Sequence, residues 1–316
     1  MAEAVPRVGD GMGSICIVGT GALAMLFGAR LSAAGYAVTL MGAWPEGLAA
    51  LRREGVRVVG ERQTYRVNVA AGPQEAPPSR YVLVLVKAWQ TRRAARWLAE
   101  CLLPEGVALT LQNGLGNAEV LAEALGAERV AVGATTTGAA VDAPGVVRPG
   151  GEGTVTLGEH PRVAPLAAAL RAVGFSVETV SDVRSVLWGK LAVNAAINPL
   201  TALLEVPNGA LLDDPAARLF MRRAAEEVAA VAAAQGIALP YPDAPAAAEE
   251  VARRTAHNLS SMLQDLRRGA PTEIDAICGE VARRGEAAGV PAPLNQALWA
   301  MVREAVRQRL VAPREG

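Results

Sequence analysis

Through the first half of the chain, short apolar runs alternate with stretches whose apolar residues recur every three or four positions. That is the pattern of βαβ units around a parallel sheet. Residues 14–18 (SICIV) predict a strand, 22–34 (ALAMLFGARLSAA) a helix and 36–41 (YAVTLM) a second strand. A helix is expected near 45–54, then strands over 55–59 and 64–69. The unbroken run 80–86 (RYVLVLV) suits a strand buried on both faces. Helices near 90–101 and 116–125 should flank strands at 107–111 and 129–135. In 145–158 (GVVRPGGEGTVTLG) β-branched residues sit either side of a glycine-rich turn, which predicts a hairpin. A helix over 163–173 and a strand over 175–180 complete this half.

Beyond Asp182 no strand-like run remains, and alanine-rich helical patterns continue to the end, punctuated by prolines. The expected organisation is a disordered tail over 1–13, a Rossmann-type α/β domain over 14–181 and an all-α domain over 182–316. Half of the 316 residues (51%) are apolar and 20% are charged, enough for two sizeable cores. Thirty-one basic residues balance thirty-one acidic ones, so no nucleic acid or anionic membrane is expected as a partner. The opening MAEAVPRVGDGMG lacks the basic start and apolar core of a signal peptide, and no run of eighteen apolar residues occurs. A cytoplasmic location is expected. Cys16, Cys101 and Cys278 lie far apart and only two histidines are present, so neither a disulfide framework nor a metal site is anticipated. The long alanine-rich helical faces are compatible with a homodimer.

Strand 14–18 runs into Gly19-Thr20-Gly21-Ala22-Leu23-Ala24 and then a helix, which is the context a dinucleotide-binding glycine loop requires. Gly19 permits the tight turn, Gly21 lets a pyrophosphate approach the backbone, and Ala24 is small enough for helix and strand to pack. Polar groups end three later strands: Lys87, then Gln112-Asn113-Gly114, then Thr135-Thr136-Thr137. Lysine occurs only at 87 and 190 among the thirty-one basic residues. A compact ammonium that can lose its proton is something arginine cannot replace. Lys190, Asn194 and Asn198, spaced i, i+4, i+8, share one face of an otherwise apolar helix. Asn198 precedes Pro199, so an N-cap and a break in the helix are expected there. Asn258, Ser261 and Asp265 suggest a second polar helix face, and Thr272 an N-cap with Glu273 at a positive helix start.

Several segments together are similar to the ketopantoate reductase family: GTGALA, KAWQ (87–90), NGLG (113–116), TTTGAA (135–140), LWGKLAVNAAINPLTAL (187–203), PNGAL (207–211) and NLSSMLQD…TEID (258–275). The likeness runs from about residue 14 to beyond 290. It implies a Rossmann domain followed by a helical domain like the C-terminal domain of 6-phosphogluconate dehydrogenase. It also implies NADPH-dependent reduction of 2-dehydropantoate to pantoate, on the route to pantothenate and coenzyme A. Carried over by position, it makes Lys190 the proton donor, with Asn113, Asn194, Asn198, Asn208 and Ser261 on the substrate. Gly19, Thr20, Gly21, Ala22, Leu23, Ala24, Lys87, Gln90, Asn113, Ala140 and Glu273 would contact NADP.

The strand 36–41 ends in Gly42-Ala43-Trp44, where the family often has an arginine for the adenosine phosphate. No carboxylate stands there to repel a phosphate, and Lys87, with Arg52 or Arg53, is expected to supply the attracting charge. Two alternatives remain: a related reductase of another branched 2-keto acid, or a non-catalytic dinucleotide sensor. The sensor would have no need of a buried lysine.

Overall fold

A computed structural model describes residues 13–311, so the tail expected over 1–13 lies outside the described residues except for Gly13. The chain divides into two compact units. One comprises the described residues up to 86 with 90–112 and 117–183, the other 87–89, 113–116 and the described residues from 184 onwards.

The first unit is α/β. Its order is β1 (Ile15–Val18), α1 (Ala22–Ala33), β2 (Val38–Met41), α2 (Pro45–Glu54), β3 (Val56–Val58), β4 (Thr64–Tyr65), β5 (Asn68–Ala70) and β6 (Ser79–Val84). Then come α3 (Thr91–Cys101), β7 (Leu102–Thr110), α4 (Asn117–Leu125), β8 (Val130–Thr135), β9 (Ala139–Ala143), β10 (Val146–Pro149), β11 (Thr154–Gly158), α5 (Ala164–Ala172) and β12 (Ser176–Val180). Eight strands form the main sheet in the order β12-β11-β8-β7-β6-β1-β2-β5. All neighbours are parallel except β8 and β11. From β1 the chain winds outward to β2 and β5, then returns to β6 and winds the other way. The loop after β1 therefore sits at the point where strand order reverses, where such sheets bind ligands.

Alternation along β1 shows why the sheet is covered on both faces. Ile15 and Ile17 enter one core with Met25, Phe27 and Leu31 of α1, while Cys16 and Val18 enter another with Leu98 of α3 and Leu121 of α4.

Two expectations about strands are corrected. The stretch 64–69 is two strands in different sheets, because β4 pairs with β3 whereas β5 pairs with β2. Residues 145–158 are not a hairpin. β10 turns back on β9 and also pairs with β3 in a four-stranded sheet ordered β4-β3-β10-β9, while β11 crosses to the main sheet between β8 and β12. The glycines are needed for that crossing, not for a turn. Gly150 donates its N–H to Gly138 O at 2.8 Å, and a Cβ on Gly150 would come within 2.9 Å of the Gly138 carbonyl carbon. The hairpin turn lies earlier, at Gly145 with φ of 76°.

The second unit is helical: α6 (Val183–Leu204), α7 (Ala210–Asp213), α8 (Pro215–Ala234), α9 (Ala244–Arg254), α10 (Ser261–Arg267), α11 (Cys278–Ala287) and α12 (Pro293–Val311). Ala192 and Ala195 of α6 and Ala224 and Ala225 of α8 are fully buried in the core of this unit. No helix among the described residues is long and apolar enough to cross a membrane.

Candidate active site

In the first unit, the glycine loop links β1 to α1. Gly19 has φ of 140°, and a Cβ there would sit 3.0 Å from Leu85 O and 3.3 Å from the Cβ of Ala24. Both its conformation and the smallness of Ala24 are thus fixed by packing. Gly21 differs. It occupies the N-cap of α1 with φ of −81°, and a Cβ there would meet no protein atom within 4 Å. No side chain caps α1, so its first N–H groups have no side-chain acceptor. Thr20 is buried against Gly42, where a Cβ would come within 2.6 Å of the threonine methyl. Ala22 and Leu23 are half-buried in the first turn.

Gln90 precedes α3, and Ala140 lies on the edge strand β9 of the smaller sheet. Gln112, one of the polar residues at a strand end, is a structural tie. Its amide donates to Val86 O at 3.0 Å and Thr91 Oγ1 at 2.9 Å, and its Oε1 accepts from Thr110 Oγ1 at 3.0 Å.

The second unit gathers the charged residues. Lys87 Nζ lies 2.6 Å from Asp265 Oδ2 and 3.7 Å from Glu273 Oε2. Glu273 also accepts from Ala88 N at 3.1 Å and from Asn113 Nδ2 at 3.0 Å. The two strand-end loops at 87–89 and 113–116 thus meet on one buried carboxylate. Leu115 N donates to Ala276 O at 2.9 Å, and Gly114 with φ of 80° leaves no room for a side chain beside Ala276. Burial opposes the Lys87 ammonium, but Glu273 and Asp265 outweigh it and hold its pKa above the usual lysine value. Burial pushes the Asp265 carboxyl up despite Lys87 beside it. Lys190, on α6, behaves oppositely. Burial depresses its pKa to about 8, and the Glu273 carboxylate limits the fall.

Asn194 and Asn198 follow Lys190 on the same face, and among the described residues their side-chain amides have no hydrogen-bond partner. The helix does not break at Asn198. It runs on through Pro199, so Asn198 is an interior residue and not an N-cap. The polar face expected from Asn258 through Asp265 is also interrupted, because α10 begins only at Ser261. Its N-cap is the buried Ser260, which accepts from Leu263 N at 3.1 Å and leaves Ser261 exposed on the first turn. Asn208 donates to Thr255 Oγ1 at 2.9 Å, and its buried Oδ1 has no partner among the described residues. Thr272 caps nothing: α11 starts at Cys278, and among the described residues the buried Thr272 hydroxyl has no partner.

The charges expected to attract a ribose phosphate are otherwise engaged. Lys87 is held by Asp265 and Glu273, Arg52 lies 2.6 Å from Glu75, and Arg53 lies 2.7 Å from Glu54. Asp265 is the residue sequence reading undervalued. It pairs locally with Arg268 at 2.9 Å, but its contact with Lys87 spans 178 positions and no local spacing reveals that.

Two family models match the chain in order: Ketopantoate reductase PanE/ApbA over residues 15–162 and Ketopantoate reductase PanE/ApbA C terminal over 182–306. The chain belongs to the ketopantoate reductase family. The 2-dehydropantoate 2-reductase of Halobacterium salinarum is 40% identical over 302 residues, 93% of this chain and 99% of that protein. A ketopantoate reductase from Ralstonia eutropha superposes with a TM-score of 0.88 at 34% identity, covering 94% of this chain and 99% of that one. D-mandelate dehydrogenase with NADH and anilino(oxo)acetate superposes with a TM-score of 0.89 at 25% identity, covering 94% and 100%. Membership of the ketopantoate reductase family makes the chain an oxidoreductase of that family.

Proposed function

We propose that this chain reduces 2-dehydropantoate to (R)-pantoate with NADPH, in the route to pantothenate and coenzyme A, and that Lys190 is the proton donor. The observation that carries this reading is the Lys190 ammonium, poised near pH 8 by burial, on the helix face that also presents two unpartnered amides. An ammonium that loses its proton near neutrality can protonate an oxygen that gains charge and stabilise that charge beforehand. Asn194 and Asn198 would orient the keto acid by hydrogen bonds, with Ser261 and Asn113 as further contacts. Glu273 would keep the Lys190 ammonium charged and hold the 87–89 and 113–116 loops in place.

The first unit fits a dinucleotide. The open space at Gly21 and the uncapped start of α1 suit a pyrophosphate, which Thr20, Ala22, Leu23 and Ala24 would adjoin. Gln90 and Ala140 are further cofactor contacts on this reading. The bound nicotinamide would supply the hydride to the 2-keto carbon. The NADPH preference rests on residues 42–44, which carry no carboxylate to repel a 2′-phosphate; Glu46 lies beyond them, exposed on α2.

A second reading has one observation in its favour. The superposition on D-mandelate dehydrogenase keeps reduction of a different 2-keto acid in view, on the same proton donor. Following cofactor oxidation with 2-dehydropantoate in the wild type and in Lys190→Ala tests the proposal. Turnover in the first and its near loss in the second is expected. Equal turnover in both would contradict the role of Lys190.

A further inference from the structure

We propose that Thr201 and Cys278 are positioning residues for this reaction: Cys278 meets the carbonyl that Pro199 leaves open in α6, Thr201 ties the next turn to Ser260, and together they fix the helix face that carries Lys190, Asn194 and Asn198. The inference rests on the reading of Lys190 just given.

Pro199 lies inside α6, four residues after Ala195, and has no N–H to give the Ala195 carbonyl. Helices with such a gap kink or flex unless another group fills it. Here the Sγ of Cys278 stands 4.0 Å from Ala195 O, and both residues are fully buried. Burial pushes the Cys278 thiol well above its ordinary range, so it keeps the proton that lets it donate. One turn further on, the Thr201 hydroxyl lies 2.9 Å from Ile197 O, 3.0 Å from Asn198 O and 2.7 Å from Ser260 Oγ.

These two links reach the elements that matter. Ser260 is the N-cap of α10, which carries Ser261 and Asp265. Cys278 opens α11 and follows Glu273 by five residues. A thiol and a hydroxyl thus register the turn bearing Asn198 against both segments that hold the charged cluster. Ordinary core filling would need neither polar group, since alanine and valine would serve at two sites with no solvent exposure.

The test compares Thr201→Val and Cys278→Ala with the wild type, measuring Tm, NADPH Kd, and kcat and KM for the keto acid well below Tm. We expect kcat to fall by roughly tenfold to a hundredfold, the scale of a small misplacement at a reacting centre, with NADPH Kd unchanged. Thr201→Ser should restore kcat. Pro199→Ala returns a helical donor to Ala195 O, so in that background Cys278→Ala should be almost silent. A lower Tm with wild-type kcat in both variants would show a purely structural role and overturn the proposal. If Thr201→Val does not fold, Cys278→Ala alone and over Pro199→Ala decides: equal losses in the two backgrounds overturn it. A wild-type enzyme that reduces no 2-keto acid would instead overturn the function on which the inference stands.

Discussion

Lys190 sits where an ammonium is disfavoured, and that cost has a visible signature in pH. With its pKa brought down to about 8, the proton-donating form prevails below that value and is lost above it. The kcat/KM for the keto acid should therefore fall as pH rises through about 8. Stability should move the other way: the unfolded lysine stays protonated to about 10.4, so between these values the folded chain binds fewer protons and gains stability with rising pH. Lys190→Ala should lower kcat by about 10²-fold or more, measured at saturating substrate, and Lys190→Arg should rescue little because guanidinium hardly releases a proton. Lys87 carries a different prediction. It pairs with Asp265, only 3% exposed, and lies near Glu273, 5% exposed, so Lys87→Met should lower stability by roughly 1–3 kcal/mol in a denaturant titration. An unchanged midpoint would mean that the pair contributes nothing. The rarity of lysine made both residues legible in the sequence. What they pair with was not, because Asp265 and Glu273 approach Lys87 only through the tertiary fold.

At the level of elements, two pairs of neighbours separate folding from function. Gly19→Ala forces a side chain into a φ of 140° and against Leu85 O, and should cost on the order of 1–3 kcal/mol in stability. Gly21→Ala meets no protein atom, so Tm should hold while KM for the dinucleotide rises. Likewise Ser260→Ala removes the cap of α10 and the partner of Thr201, so it should cost about 1 kcal/mol as well as kcat, whereas Ser261→Ala should keep Tm and lower kcat/KM for the keto acid. Swapped outcomes in either pair would place the ligand contacts on the wrong residue. Local patterns revealed β1, the glycine loop, α1 and the Lys190 face, because each is specified by residues close in sequence. They misplaced the break at Asn198 because the carbonyl that a mid-helix proline leaves open, here that of Ala195, is met by a group distant in sequence, the Cys278 thiol. They misread 145–158 because a glycine run marks close backbone approach as readily as a turn, and the partner strands are β3 and β8.

For the molecule as a whole, alternating strand and helix patterns followed by uninterrupted helix were enough to give one α/β unit and one helical unit. The strand order, with its second small sheet, was not readable, since nothing local dictates which strand β10 or β11 joins. Cofactor choice also belongs to this scale, because it depends on a surface assembled from several loops. With no carboxylate at 42–44, kcat/KM should be higher with NADPH than with NADH at one low ionic strength, and a clear preference for NADH would reverse that assignment. The most direct measurement is kcat/KM, followed by cofactor oxidation, for 2-dehydropantoate beside ketoisovalerate and an aryl 2-oxo acid. The highest value is expected for 2-dehydropantoate, lowered about 10²-fold or more with every substrate by Lys190→Ala. A higher value for either competitor would contradict the assignment of substrate.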